Sequence, residues 1–417
     1  MLVRYLRDHP RYLWLVFYLL LNLIYTGLII GNRTLYSEAQ VVSVDSTAPI
    51  IAIFLLLACT YVFFQTFWFS FVNKIKVLKV RADMPETVDK RISFTLFALQ
   101  LMFLAYALAS GAYVADSTVQ GGSLLSLIWV LIPVDALSFI YYGFYRGSPY
   151  FKLNCAAWVI SSLLRGWSGV LLTIIFFESC RLIRQRAMKA RYIFASAAAL
   201  VVGYPLIYFG KLFIRFYASQ QNPDLSAFWS LYQSINLFDA LGIAVQQAFG
   251  RLQLISSSIA VHEIAPALRA DYYNNMFQPF WLEGLHGLVL DRLLGKPDAL
   301  NVGQVLALQF DPLSLVNWNA NPTLIGWFFI LPQYAVLNFL YALLLGTVFV
   351  LMGRMLKQTP ESRDMMWYAW LILLIPGWYG AMFLYVYVMF LFVALHVIFG
   401  RRKHAGRNAA EAQYGYR

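Results

Sequence analysis

The residues best suited to chemistry in this 417-residue chain fall between Phe216 and Pro322, where only Arg251, Arg269, Arg292 and Lys296 are cationic beside eight acids. Such cations are not a generic basic surface. Arginine suits phosphate because its planar fork donates two parallel charge-assisted hydrogen bonds. Arg251, in Gly250-Arg251-Leu252, is the leading diphosphate ligand, with an ion pair to an acid such as Asp239 as the structural alternative. Groups able to take a proton from a hydroxyl cluster in His262, Glu263 and Asp271, followed by Glu283, His286 and Asp291. Singly, each is more often structural than catalytic. Amides and aromatic faces suit sugar hydroxyls and rings, which makes Tyr272, Tyr273, Asn274, His286 and Asn319 glycan-binding candidates. The same residue types also form turns and membrane interfaces.

Further cations stand in apolar surroundings. Arg165 lies in Leu164-Arg165-Gly166-Trp167 inside a long apolar run, where a cation needs a partner or a wet cavity unless it snorkels to the headgroups. Lys211 and Arg215 are one helical turn apart and share a face, placed either to meet a lipid diphosphate or to anchor in headgroups. His262-Glu263 is not a zinc-protease motif, because Pro266 stands where the second His belongs. No metal site has suitable spacing, and no cofactor is expected. The chain has no Asp-x-Asp, glycine-rich phosphate loop or G-x-S-x-G, so a nucleotide-sugar enzyme or serine hydrolase has no foothold.

These side chains must be carried by a membrane scaffold. The chain is 60% apolar and 12% charged, too little charge to cover a soluble surface. Several runs reach the roughly 20 residues needed to cross a bilayer. The net charge of +12 is spread over short loops and tails beside those runs, which is the positive-inside pattern rather than a nucleic-acid footprint. Cys59, Cys155 and Cys180 fall in apolar stretches and read as packing residues. The first run, Leu13 to Ile30, is long for a signal peptide and reads as a retained anchor.

Charge bias orders the crossings. The N-terminal arginines, the loop Asn73 to Arg91, the loop after Cys180, the cluster Arg354 to Arg363 and the C-terminal tail are all expected on the cytoplasmic side. Spans are expected at Leu13–Ile30, Pro49–Val72, Ile92–Val114, Cys155–Cys180, Tyr192–Ala218 and Thr323–Met352, with a helix pair at Met365–Phe399 turning at Pro376-Gly377. Ser123 to Phe144, broken by Pro133 and Asp135, is then expected to be re-entrant or interfacial, lining a cavity. The expected organisation is an all-α polytopic protein of about eight crossings. Residues 1–215 carry the first spans and the re-entrant segment near 123–144, residues 216–322 a large external loop domain, and residues 323–417 the last spans and a basic tail. No internal repeat is visible, which gives an inverted-repeat transporter no support.

The chain resembles the O-antigen and exopolysaccharide repeat-unit polymerases, the Wzy-type family. The resemblance rests on Ser161-Ser162-Leu163-Leu164-Arg165-Gly166-Trp167-Ser168-Gly169, on Gly250-Arg251-Leu252, on Gly295-Lys296-Pro297 and on Asn321-Pro322-Thr323-Leu324-Ile325-Gly326. Tyr334-Ala335-Val336-Leu337-Asn338 departs from the N-F-G element common in that family. The resemblance implies a GT-C-like helical bundle in a bacterial inner membrane, with a periplasmic active site and metal-independent glycosyl transfer. It implies transfer of a growing glycan from undecaprenyl diphosphate onto an incoming lipid-linked repeat unit. Arg251, then Arg165 and Arg269, would stabilise the departing diphosphate, with His262, Glu263 or Asp271 as base. Expected partners are undecaprenyl-diphosphate-linked oligosaccharides, membrane lipids, a chain-length regulator and a flippase, and no nucleic acid. An O-antigen ligase, a lipid-linked-oligosaccharide flippase or other transporter, and a non-catalytic assembly component are the alternatives.

Overall fold

A computed structural model describes residues 2–36, 46–80, 86–110, 124–165, 167–189, 249–294, 300–311 and 319–414, with isolated positions between them. In chain order the first helices are α1 (Leu2–Asp8), α2 (Arg11–Asn32), α3 (Thr47–Val72), α4 (Glu86–Ser110), α5 (Leu124–Leu131), α6 (Val134–Phe144), α7 (Phe151–Leu164) and α8 (Gly169–Arg184). There follow α9 (Ile255–Tyr273), α10 (Leu285–Leu293), α11 (Val302–Phe310), α12 (Leu324–Ile330), α13 (Ala335–Met355), α14 (Pro360–Ala369) and α15 (Tyr379–Tyr414). A π-helical segment, Phe63–Trp68, interrupts α3, and another, Trp370–Leu374, prolongs α14. Among the described residues no strand forms, and the bridge Phe277 to Leu300 is isolated.

Five of these helices, α2, α3, α4, α13 and α15, are long and apolar enough to cross a membrane. Their patterning is that of lipid-facing helices. On α2 the exposed face carries Leu20, Leu23 and Ile24, while Asn22 and Thr26 turn inward. On α13 Val336, Leu340 and Leu344 are exposed and Asn338 is buried. Hydrocarbon outside and hydrogen-bonded polar groups inside is the arrangement a bilayer favours. The chain is thus an all-helical membrane protein.

The basic loops meet at one end, as the charge bias requires. Lys79 donates to the Arg354 carbonyl (2.7 Å), and Arg354 donates to the Val72 carbonyl (2.5 Å). Asp364, one turn into α14, is buried between Arg11 at the start of α2 (3.2 Å) and Arg184 at the end of α8, which also meets Glu361 (3.5 Å). One carboxylate therefore ties three helix ends together. A capping box between Thr359 and Ser362, with Pro360 in the first turn, starts α14 at that point.

Two hairpins rise from this end. In the first, the Tyr142 ring contacts Phe151 at the start of α7 (5.0 Å between centroids), and its hydroxyl donates to Glu178 near the end of α8. Both feet thus lie at one level, and the turn is at Arg165–Ser168. The single crossing expected from Cys155 to Cys180 is therefore two antiparallel helices. At 14 and 16 residues they are about 21 and 24 Å long, short of the roughly 30 Å hydrocarbon layer. The segment expected to be re-entrant, Ser123 to Phe144, instead lies alongside α15 from Leu131 to Phe144. Tyr387 donates to the Leu131 carbonyl (3.1 Å), Phe139 packs on Tyr385 (4.9 Å) and Tyr145 contacts His396 (3.2 Å). Pro133 interrupts this path without reversing it, because α6 resumes directly with Leu137 bonded back to the Pro133 carbonyl (3.0 Å). The reversal comes at Arg165, where the helix stops. Between the two basic loops the apolar path that does not fold back is α5–α6, whose apolar stretch Ile128–Phe144 is shorter than any of the five long apolar helices.

The second hairpin, α14 into α15, turns at Pro376-Gly377 as expected. Gly377 has φ +80°, and a Cβ there would lie 2.8 Å from the Thr323 backbone. The close approach lets Thr323 and Leu324 donate to the Pro376 and Ile375 carbonyls (2.8 and 2.9 Å), docking the start of α12 on the hairpin turn. The span expected at Tyr192 to Ala218 lies outside the described residues, as does most of 216–248. The described part from 249 onward packs into the bundle, with Asn22, midway along α2, accepting from the Leu254 and Ile255 amides (2.9 and 3.0 Å).

Replacing Asp364 by Ala leaves two arginines packed without their shared carboxylate. The expected loss is about 3–5 kcal/mol, read as a lowered unfolding temperature of the purified protein in detergent.

Candidate functional site

A cavity of about 260 Å³ opens between the first hairpin and the turn of the second. Tyr18 of α2, Tyr61 of α3 and Leu172 of α8 form one part of its wall, and Leu371, Ile372, Pro376 and Trp378 of the second hairpin another. Two chain segments far apart in sequence complete it, Arg251–Leu252 with Leu254, and Asn319 with Asn321. Tyr61 is roughly 17 Å along α3 from its basic end, so the cavity reaches mid-depth. Pro376 and Trp378 lie at the hairpin turn remote from that end.

The polar groups around this space are few and placed by identifiable features. Arg251 is exposed at the rim, directly before the segment that Asn22 fixes. Asp239, its sequence-level alternative partner, lies outside the described residues. Asn319 and Asn321 are held by the Ala320 amide donating to the Gly303 carbonyl (3.0 Å) and by Thr323 on the hairpin. Thr323 has φ 58°, a left-handed conformation that is strained for a β-branched residue. Its hydroxyl accepts from the Gly326 amide (3.0 Å) and from Ser258 (3.3 Å), which offsets that strain and starts α12 beside the cavity.

The structure brings Arg251 and Asn319 together and distributes the other sequence candidates elsewhere. Arg165 is fully buried at the first hairpin's tip, where its fork donates to both Asp135 oxygens (2.9 and 2.7 Å) and its guanidinium lies over Phe103 (4.7 Å). The face a diphosphate would take is already occupied by a carboxylate. Arg269 donates to the Ile330 and Phe329 carbonyls (3.1 and 3.0 Å) and so caps the end of α12. His262 and Glu263 touch each other (3.3 Å), with the His262 ring edge-on to Phe329, about two turns along α9 from the cavity. Asp271, further along, accepts from Gln309 (3.0 Å). None of these three lines the cavity. At the α9 end Tyr272 is half-buried, Tyr273 is exposed and bonded by Gln333 (3.1 Å), and Asn274 is exposed. His286 contacts the Trp281 carbonyl (2.6 Å) and packs on Phe383 (4.2 Å). Lys211 and Arg215, and Gly295-Lys296-Pro297, lie outside the described residues.

Sequence reasoning missed Tyr18 and Tyr61, because tyrosines in apolar helices look like ordinary core. The Tyr61 hydroxyl is buried beside the Asn22 side chain, and the Asn319 amide oxygen has no hydrogen-bond partner among the described residues. Glu283 was legible only as one acid among several. It is buried at the junction of α10, α11 and α15, beside Gly284, whose φ of +117° lets it pack on Gly380. Burial pushes its carboxyl up to about 8, and the Val302 amide (3.3 Å) only partly opposes this. The fold and the site together define a helical membrane protein with a largely apolar cavity that carries a few polar side chains. No family model, curated protein or solved structure matches the chain.

A carboxyl raised by folding binds its proton more tightly in the folded state, so stability falls as pH rises from the unfolded value near 4.5 through about 8. Hydrogen-exchange protection in residues 276–294 and 300–311, taken relative to the base-catalysed rate of an unfolded chain at the same pH, is expected to fall over that window. Glu283→Gln should remove the dependence and slow exchange at the alkaline end.

Proposed function

We propose that this protein is a membrane-embedded glycosyltransferase acting on polyprenyl-diphosphate-linked glycans, extending them as a repeat-unit polymerase does. The observation that carries this reading is the convergence of Gly250-Arg251-Leu252 and Asn319 to Asn321, some seventy positions apart, on one cavity at membrane depth. A lipid-linked diphosphate presents its head at the bilayer interface and its hydroxyls beyond. Arg251 suits the diphosphate, and the two amides with Tyr18 and Tyr61 suit sugar hydroxyls.

The proposed chemistry uses little more than fixed charge. As the glycosyl bond to the diphosphate breaks, negative charge builds on the leaving oxygen. A guanidinium held in place at the cavity's rim stabilises that charge without having to reorient as water must. The acceptor hydroxyl must surrender a proton. His262, Glu263 and Asp271 stand about two helical turns or more along α9 from the cavity, out of hydrogen-bond reach of it, so this reading gives none of them the part of base. The positive-inside rule puts the basic end in the cytoplasm, so the cavity's rim faces the periplasm of a bacterial inner membrane in this proposal. A ligase would use the same donor and differ only in its acceptor.

The test is incubation of purified protein with a defined lipid-linked repeat unit. Longer glycan is expected from the wild type and at least about a hundredfold less from Arg251→Ala, the scale of losing one charge-stabilising group, with membrane insertion unchanged. Persisting polymer in that variant would exclude Arg251 from the site. Orientation is checked separately: a cysteine placed at Asn274 should react with a membrane-impermeant reagent from the periplasm. Labelling only from the cytosol would overturn the proposal.

A further inference from the structure

Three cations at the basic end have no acid to answer them. Lys79 in the loop after α3, Arg354 in the last turn of α13 and Arg363 near the start of α14 form no ion pair among the described residues. Two of them are fixed by main-chain carbonyls instead. Lys79 donates to the Arg354 carbonyl (2.7 Å) and Arg354 to the Val72 carbonyl (2.5 Å), while the Val80 amide, donating to the Met355 carbonyl (2.8 Å), ties the loop to α13. An ammonium has three donors and a guanidinium five, so each side chain has N–H groups beyond those bonds. Arg363 lies within electrostatic reach of Arg354. Partial burial, and then the charge of Arg354, hold the Lys79 ammonium below its ordinary range. The acids of the adjoining turn are engaged elsewhere, Glu361 with Arg184, and Asp364 with Arg11 and Arg184. Like charges gathered on rigid supports repel one another until an anion joins them.

Position selects the anion. α3 and α13 are both long and apolar enough to cross a membrane, and the cations stand where these helices end, at Val72 and Met355. That is the level of the lipid headgroups. Bare apolar surface adjoins them: Leu78, next to Lys79, is 83% exposed, and Phe71, in the last turn of α3, is 53% exposed. A soluble anion has no use for such surface, whereas a phospholipid brings acyl chains to it together with its phosphate. Basic pockets between membrane helices suit lipid headgroups in this way.

We infer that Lys79, Arg354 and Arg363 form a site for the phosphate of an anionic phospholipid, whose chains lie against Phe71 and Leu78. The site is remote from the cavity and does not depend on the glycosyltransferase reading. A lipid bound there would brace the loop after α3 against α13 and α14.

The experiment uses the purified full-length chain in detergent, native mass spectrometry to count bound lipid, and three probes: phosphatidylglycerol, phosphatidylcholine and inorganic phosphate. Wild type is expected to bind phosphatidylglycerol saturably and in preference to phosphatidylcholine, with inorganic phosphate unable to displace it. Lys79→Gln and Arg363→Gln should each weaken phosphatidylglycerol about fivefold, the scale of one cation meeting an anionic lipid. Arg363 is exposed, and no hydrogen bond or ion pair of its side chain is lost among the described residues, so that variant keeps the fold. The pair Lys152→Gln with Lys189→Gln, exposed cations at the same end, should leave binding unchanged. Weakening by that pair as great as by Arg363→Gln would overturn the site in favour of diffuse charge attraction. Equal binding of the two lipids, or displacement by inorganic phosphate, would overturn the lipid headgroup as its ligand.

Discussion

A guanidinium carried into hydrocarbon must bring its counter-charge with it, and the bundle is organised around two places where this happens. Arg165 meets Asp135 in a two-pronged contact at the tip of the first hairpin. Arg11 and Arg184 share Asp364 at the feet. The Born cost of such charges in a low-dielectric interior is large enough that a misplaced hairpin would strand them, so the pairs act as position markers as much as adhesive. Between them they fix the tip and one foot of the first hairpin. α8 then supplies one wall of the cavity.

The cavity follows from lengths. Helices α7, α8 and α14 are too short to cross, so the bundle is deficient above their ends. The chain fills that deficit with the segments before α9 and α12, which are irregular backbone at membrane depth. Such backbone survives only where its polar groups are met internally. Asn22 meets two amides of the first segment, and the carbonyls of Ile375 and Pro376 meet two of the second. What the fill leaves empty is the space bounded by Arg251, Asn319 and Tyr61.

Around that space the packing is unusually dependent on small or strained positions. Gly377 lies against Thr323, and Gly284 lies against Gly380. Buried polar residues cluster there too: Tyr379 donates to Asn338 (2.5 Å), Asn338 donates to the Leu324 carbonyl (3.1 Å), and Glu283 sits nearby in its protonation-sensitive niche. A network of this kind specifies one arrangement, because a partly satisfied alternative is penalised in low dielectric.

Much of this was written in composition and charge. Apolar runs of the right length, and cations gathered at alternate ends of them, were sufficient for an all-helical membrane protein with its basic loops on one side, since hydrocarbon thickness and charge bias act on local sequence alone. The Pro376-Gly377 turn was equally local. The exchange of roles between Ser123–Phe144 and Cys155–Cys180 was not, because a helix-breaking residue shows where regular structure is interrupted but not whether the chain then reverses. Only the packing of Leu131, Phe139 and Tyr145 along α15 decided that. The same distinction governs the site. Residue type marked Arg165, Arg251 and Arg269 alike as phosphate ligands. Tertiary contacts gave Arg165 a carboxylate and Arg269 a helix end to cap, and set Arg251 on the cavity's rim, because partnership in space depends on which helices the fold makes neighbours.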